Sequence, residues 1–344
     1  MISKIRDVFE IIRISGLRGF RRLLGHSRRV KGFGAPFALM HCLIALEKAG
    51  LSQALRQPQG LDIDPAGGDD RAALAATCEY LYERGVLVRS GPHTYRVRDS
   101  RQFEQLTDAM HACLAYHEPI NALDKLISGE LRYGEHVARD DKYDALASAT
   151  LTSIFSYGFA HRVLASSGAR SVLDCGCGTG EFLAFLRRKG FDGQLFGLDL
   201  APEAIEDGRS MGFEKEDVTL FVGDVLHLCE ALSDIGSPDI DVFSFMFVLH
   251  EFEREPIGTI LTSIRESCPK GGVLLTELDR LSSDDTRRVN RTMLPELKLV
   301  HIISRQILRS ADDWKTLFAA HGFKATTERC NRLTSQFCIL FEPE

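Results

Sequence analysis

Apolar and polar residues follow two different rhythms along the chain. From Pro36 to Leu55 the segment PFALMHCLIALEKAGLSQAL sets leucines and alanines at helical spacing and carries a stop at Gly50, which predicts a buried helix. A second helix is expected from Asp70, in DDRAALAATCEYLYERG, ending at Gly85. It runs into VLVRSGPHTYRV, two β-type runs joined by Ser90-Gly91-Pro92, the pattern of a hairpin. Helix followed by hairpin suggests a winged-helix module. Residues 103–167 read as helical throughout, with Tyr133, His136, Ser156 and Tyr157 as polar or aromatic groups able to face a pocket.

After Arg170 short apolar runs alternate with helical stretches: SVLDCG, a helix to Lys189, QLFGLD, a helix to Met211, VTLFVGD, DVFSFMFVLHE, a helix to Cys268, and GGVLLTEL. A helix around Trp314 and a strand QFCILF follow. That alternation predicts an α/β fold, a mainly parallel sheet with helices on both faces. The expected domains are a helical, winged-helix-like dimerisation and lid domain at 1–115, a helical connector lining the pocket at 116–167, and a ligand-binding α/β domain at 168–344.

At 344 residues the chain is long enough for two domains and a full α/β core, and 44% hydrophobic with 26% charged residues is an ordinary globular balance. No apolar run is read as approaching the roughly 20 residues of a membrane span. Met1–Arg13 lacks the apolar region of a signal peptide, so the expected location is cytoplasmic. The nine cysteines form no disulfide framework and no paired Cys-x-x-Cys spacing. Cys175 and Cys177 flank Gly176, where small side chains are needed, rather than forming a metal pair.

The net charge of −6 conceals an asymmetry, because residues 1–35 hold nine Lys or Arg against Asp7 and Glu10. This stretch can touch an anionic membrane or RNA, but a solvated face or subunit contact is the favoured reading. The presumptive recognition helix carries Asp70, Glu79 and Glu83 against Arg71 and Arg84, which disfavours a nucleic-acid partner.

The candidate ligand site begins where SVLD ends in Asp174 and passes into CGCGTGEF. Gly176, Gly178 and Gly180 permit a tight turn and close approach of a ligand, while Glu181 at the helix start would repel a pyrophosphate. A cationic ligand without phosphate follows. QLFGLD ends in Asp199, positioned to accept ribose hydroxyls, and VTLFVGD brings Gly223 and Asp224, whose carboxylate can receive an adenine amino group.

At these residues the chain resembles the class I S-adenosylmethionine-dependent methyltransferases, with VLDCGCGTG, GLDL and VGDV matching their first three motifs. The resemblance implies a Rossmann-like sheet, S-adenosyl-L-methionine as cofactor, and a cofactor site comprising Tyr157, Asp174, Gly176, Gly178, Gly180, Asp199, Leu200, Gly223, Asp224, Val225 and Phe247. The strand DVFSFMFVLHEF carries His250-Glu251 past the carboxyl edge of the sheet, where ligands of open α/β folds gather.

With Glu277, this arrangement is similar to the winged small-molecule O-methyltransferases, which implies His250 as a general base toward a phenolic or natural-product hydroxyl. LHEF, LKLVHIISRQILRSADDW and SQFCILFEPE resemble the bacterial 2-oxo acid C-methyltransferases, and imply that His250 and His301 hold a divalent or ferric ion. The same architecture occurs in enzymes that S-methylate 4-methylthio-2-hydroxybutyrate on the way to dimethylsulfoniopropionate. The expected catalytic residues are therefore His250, Glu251, His301, Glu277 and Tyr133. The leading expectation is methyl transfer to a small 2-oxo or 2-hydroxy carboxylic acid, and the resemblance to the winged enzymes implies a homodimer.

Overall fold

The basic and the apolar segments at the start of the chain form one helix, Ile2–Lys48, broken at Gly16, whose φ of 68° and ψ of 170° lie outside helical geometry. The computed structural model describes residues 2–64, 68–212, 217–280, 294–332 and 334–344. It divides into Met1–Leu114 and Ala115–Glu344, so the helical segment at 116–167 falls in the second unit. The expectation that no stretch reaches membrane-spanning length needs correction. Val8–Lys48 is long and apolar enough by length and composition, because one helix spans both the basic and the apolar segment.

In the first unit the helix Asp69–Glu83 leads into a small antiparallel sheet of β1 (Leu61–Asp62), β2 (Leu87–Arg89) and β3 (Thr94–Val97), in the order β1-β3-β2. The Ser90 N–H donates to the Thr94 carbonyl at 3.0 Å and closes the hairpin. Leu43, Leu46, Leu55, Ile63, Leu81 and Leu87 are buried beneath these elements.

The second unit begins with short helices. Residues 103–167 are less regular than their pattern suggested: Tyr133 pairs with Val137 in an isolated bridge, and Thr152–Ser156 forms one π-helical turn. The helix Asp141–Leu151 restarts where the Asp140 side chain accepts the Tyr143 N–H at 3.3 Å, a local cap that apolar periodicity does not encode.

Seven strands follow: β4 (Ser171–Cys175), β5 (Gln194–Asp199), β6 (Val218–Val222), β7 (Val242–Met246), β8 (Gly272–Leu278), β9 (Phe323–Asn331) and β10 (Gln336–Pro343). They form one sheet in the order β6-β5-β4-β7-β8-β10-β9. The first five are mutually parallel, and β10 runs antiparallel to both β8 and β9. Strand β9 has no counterpart in the sequence reading. Its residues KATTERCN are mostly exposed at the sheet edge, so no apolar alternation marks them.

Strand periodicity explains the two cores. Leu173, Phe243, Phe245, Val273, Leu275, Phe337 and Ile339 pack into one cluster with Trp314 and Phe318. The intervening Val172, Val242, Leu274, Cys338 and Leu340 join Phe182 and Leu186 in another. Alternate residues on the same strands thus face opposite layers, and helices cover both. Because β5 and β7 lie on opposite sides of β4, the strand order reverses there, and the carboxyl ends of strands at such a reversal are where ligands of open α/β sheets gather.

Candidate active site

Asp174, next to last in β4, lies in register with Gly197 of β5 and Ser244 of β7. Its side chain is buried and its Oδ1 lacks a hydrogen-bond partner. Burial pushes this carboxyl up to about 7, against the smaller downward pull of the Ser244 hydroxyl. A buried, partnerless carboxyl oxygen calls for an outside group to satisfy it.

Immediately after Asp174 the backbone turns. Gly176 has φ of 76°, and a Cβ there would meet a Val248 methyl at 2.6 Å, so only glycine lets the loop pack against the turn that carries His250. The Gly176 N–H donates to the Leu198 carbonyl at 2.7 Å, and the Gly178 N–H donates to Asp199 Oδ2 at 2.7 Å. Asp199 Oδ1 accepts the Ala201 N–H at 2.9 Å. Asp199 therefore holds the glycine loop and the start of the next helix together, while its remaining lone pairs stay open to a ligand. Gly223 donates to the Asp199 carbonyl at 2.9 Å, and Asp224 Oδ1 accepts the Leu226 N–H at 2.9 Å. Asp174, Asp199 and Asp224 thus end up along one edge of neighbouring strands.

The other expected ligand-site residues scatter by environment. Val225 is buried, and Leu200 is exposed. Tyr157 is buried, its ring packed 5.4 Å from Phe182 and 5.7 Å from Phe185. Phe247 takes φ of 60°, a left-handed conformation unusual for a bulky residue, with its N–H bonded to the Thr276 carbonyl at 2.9 Å.

That turn corrects one expectation. β7 stops at Met246, and His250 sits on a short 3₁₀ turn, Leu249–Glu251, rather than on the strand. The apolar run continues through Val248 and Leu249 because the turn is itself buried, so the pattern hid the end of the strand.

His250 is buried, and Glu277 of β8 holds it at two points: Oε2 lies 2.7 Å from Nδ1, and Oε1 accepts the backbone N–H at 3.2 Å. The neutral ring accordingly carries its proton on Nδ1 and presents Nε2 as a base or ligand. Burial opposes charge on this ring, but the Glu277 carboxylate outweighs it and raises the pKa above the usual histidine value. His301, on the helix Leu294–Ile303, stands edge-on with ring centroids 5.1 Å from His250. Its Nδ1 is 2.6 Å from the Leu297 carbonyl and donates to it. Burial, reinforced by His250, pushes the His301 pKa down to about 4, so this ring is neutral.

Glu251 Oε1 lies 3.8 Å from His250 Nε2 and accepts from Arg139 Nη1 at 3.0 Å and Gln306 Nε2 at 2.5 Å. Burial works against the Arg139 charge, yet Asp144 and Glu251 overcome it and hold the guanidinium above its ordinary range. Tyr133 meets this group through Arg139, whose backbone N–H donates to the phenol oxygen at 3.2 Å.

The structure thus brings His250, Glu251, Glu277 and His301 together and adds Arg139 and Gln306, which the sequence reading missed. Arg139 sits in the polar run RDDKYD and Gln306 in SRQIL, and no spacing distinguishes either from a surface residue. Among the described residues, no group of three or more His, Cys, Asp or Glu side chains comes together to hold a metal ion.

A methyltransferase-domain family matches residues 135–328, more than half of the chain. The chain is 23% identical over 321 residues to the 2-ketoarginine methyltransferase of Streptomyces arginensis, covering 90% of each protein. Among solved structures, mitomycin 7-O-methyltransferase MmcR shares the fold with TM-score 0.63 and 16% identity over 94% of this chain and 99% of that one. Human N-acetylserotonin methyltransferase, solved in complex with S-adenosylmethionine, shares it with TM-score 0.64 and 16% identity over 92% and 97%. The domain match, together with a glycine loop and acidic strand ends on the expected sheet, makes this chain a member of the class I S-adenosylmethionine-dependent methyltransferases.

Proposed function

We propose that the chain methylates a small 2-oxo or 2-hydroxy carboxylic acid, with His250 as the base that prepares the acceptor. The observation that carries this reading is the buried pair of imidazoles, His250 and His301, each with Nδ1 engaged and Nε2 left available. The 2-ketoarginine relative points to the same acceptor class.

The cofactor supplies an electrophilic methyl group on a sulfonium when bound. The site suits it on one observation, the buried Asp174 carboxyl whose Oδ1 has no partner and whose charge an ammonium or sulfonium would compensate. In this reading Asp174 and the loop Gly176–Gly180 would hold the methionine part, Asp199 the ribose, and Asp224 with Val225 the adenine, while Tyr157, Leu200, Gly223 and Phe247 would complete the cofactor site.

Glu277 fixes the His250 tautomer and orientation, and His250 Nε2 accepts the proton that leaves the acceptor. For a 2-oxo acid that proton comes from the carbon beside the carbonyl, and its bonding pair becomes the nucleophile. The proton stays on His250 as an imidazolium, stabilised by Glu277, until solvent removes it. Arg139 and Gln306 hold Glu251 beside Nε2, the Arg139 guanidinium being paired also with Asp141 and Asp144.

A second reading is favoured by the partners of the two rings. Histidines that ligate metal donate their other N–H to a carboxylate or carbonyl, as His250 does to Glu277 and His301 to Leu297. The pair would then hold a divalent or ferric ion, which polarises a chelated 2-oxo acid. The alternative acceptor, a phenolic or natural-product hydroxyl, uses the same His250 base. The likeness to the winged methyltransferases supports a homodimer, for which light scattering is the test, and a cytoplasmic location is proposed with it.

Incubation with S-adenosylmethionine and a panel of 2-oxo acids, 2-hydroxy acids and phenols should release S-adenosylhomocysteine with the acids. Turnover confined to phenols would overturn the acceptor class.

A further inference from the structure

The stretch Leu17–Lys31 contains none of the residues assigned to methyl transfer, yet its sequence is sorted by polarity. The helix is interrupted at Gly16, so Leu17 opens a helical run of its own. With 3.6 residues per turn, Leu17, Phe20, Leu23, Leu24 and Val30 fall within one arc of about 140°, which also takes in Ser27 and the terminal Lys31, and Arg18, Arg21, Arg22, Arg28 and Arg29 fall within a separate arc of about 120°. Between Ile11 and Leu46 the chain contains no aspartate or glutamate.

Both faces are open. Leu17 is 64% exposed, Leu23 49%, Leu24 43% and Val30 53%, and all five arginines are exposed. We propose that Leu17–Lys31 lies on an anionic lipid surface, the leucines, Phe20 and Val30 entering the headgroup boundary while the arginines meet phosphate and carboxylate headgroups.

Charge selects this occupant. A second copy laid against the same face would cover the leucines but offer the five arginines no partner, because the segment itself carries no acid between Ile11 and Leu46. A nucleic acid would use the arginines but leave the exposed leucines in water, so the paired apolar arc argues for lipid. The remainder of the chain is acidic: residues 1–35 carry nine Lys or Arg against two acids, a balance of +7, so the rest stands at −13 against the total of −6. Such a body is repelled by anionic headgroups, which leaves this helix as the segment that makes contact.

The proposal stands apart from the acceptor chemistry, and its test uses the whole chain. Sedimentation with phosphatidylcholine vesicles and with vesicles containing about one-third phosphatidylserine should show binding at least about tenfold stronger to the anionic set, lost in about 0.5 M salt. Reversing charge with Arg21→Glu, Arg22→Glu, Arg28→Glu and Arg29→Glu should reduce vesicle binding by about 100-fold or more while S-adenosylmethionine affinity is unchanged. Leu23→Ser with Leu24→Ser should weaken binding to the same vesicles and raise its salt sensitivity. Equal partition into neutral and anionic vesicles, no binding to either at low salt, or full binding by the charge-reversed chain overturns the proposal. A change in molar mass on charge reversal, with no vesicle binding by the unaltered chain, overturns it in favour of a contact between copies. If charge reversal disturbs folding, the salt series on the unaltered chain decides alone.

Discussion

Glu277 holds His250 by both of its carboxylate oxygens, one on the ring Nδ1 at 2.7 Å and one on the backbone N–H at 3.2 Å. A single buried carboxylate therefore sets the ring's tautomer, its orientation and the path of the turn that carries it. Replacing His250 with Ala should lower turnover by about 10² to 10⁴ while S-adenosylmethionine affinity, measured by calorimetry, stays near the unaltered value. Loss of cofactor binding instead would mean that the ring belongs to the cofactor site.

The raised His250 pKa sets the direction of the pH profile. A base that must be neutral gives activity that climbs with pH through a value above 6.5. Glu277→Gln keeps the shape but removes the charge, so this rise should move to lower pH while turnover falls by about 10- to 100-fold. For stability the sign is opposite: the pair's contribution is complete below the unfolded histidine value and is lost as pH rises through the raised folded one. A rise in activity that stays in place in Glu277→Gln would assign it to another group.

His301 behaves in the reverse sense. Its folded value of about 4 lies below the unfolded one, so burial of the neutral ring contributes stability that is lost as pH falls from about 6.5 toward 4. Urea melts across that window should show the slope, and His301→Gln should flatten it. Elemental analysis with chelation tests the metal reading. Activity that survives chelation in protein without metal ends it.

Asp174 links cofactor binding to pH. Its carboxyl, raised to about 7, holds a proton that a cationic ligand must displace, so affinity should rise from pH 5.5 to 8 with release of close to one proton below pH 7. Calorimetry in buffers of different ionisation heat measures that proton. Without ligand, the fold binds more protons than the unfolded chain between about 4 and about 7, and its stability should fall as pH rises across that window. Asp174→Asn should remove both trends.

Gly208 tests the glycine loop from behind. A Cβ at this position would lie 2.2 Å from the Thr179 carbonyl oxygen, inside the backbone of the loop itself. Gly208→Ala should cost about 1–3 kcal/mol in urea unfolding and weaken cofactor binding, because the loop must move to admit the methyl. Unchanged affinity would show that the loop's position does not govern binding.

Sequence by itself determined the α/β alternation, the glycine turn after Asp174 and the acids at or just beyond the ends of β4, β5 and β6. Each is local: strand periodicity, a turn that needs glycine and a carboxylate at a strand end are written within a few neighbouring residues. Tertiary structure alone decided which distant groups meet. Arg139 reaches Glu251 across 112 positions and Gln306 reaches it across 55, contacts that no periodicity encodes. It also decided the protonation of His250 and His301, two residues of one type pushed in opposite directions, because burial and the nearest charge are properties of packing rather than of residue identity. The polar edge strand β9 and the end of β7 escaped the pattern for the same reason: one is exposed along most of its length and shows no alternation, and the other gives way to a turn that stays buried.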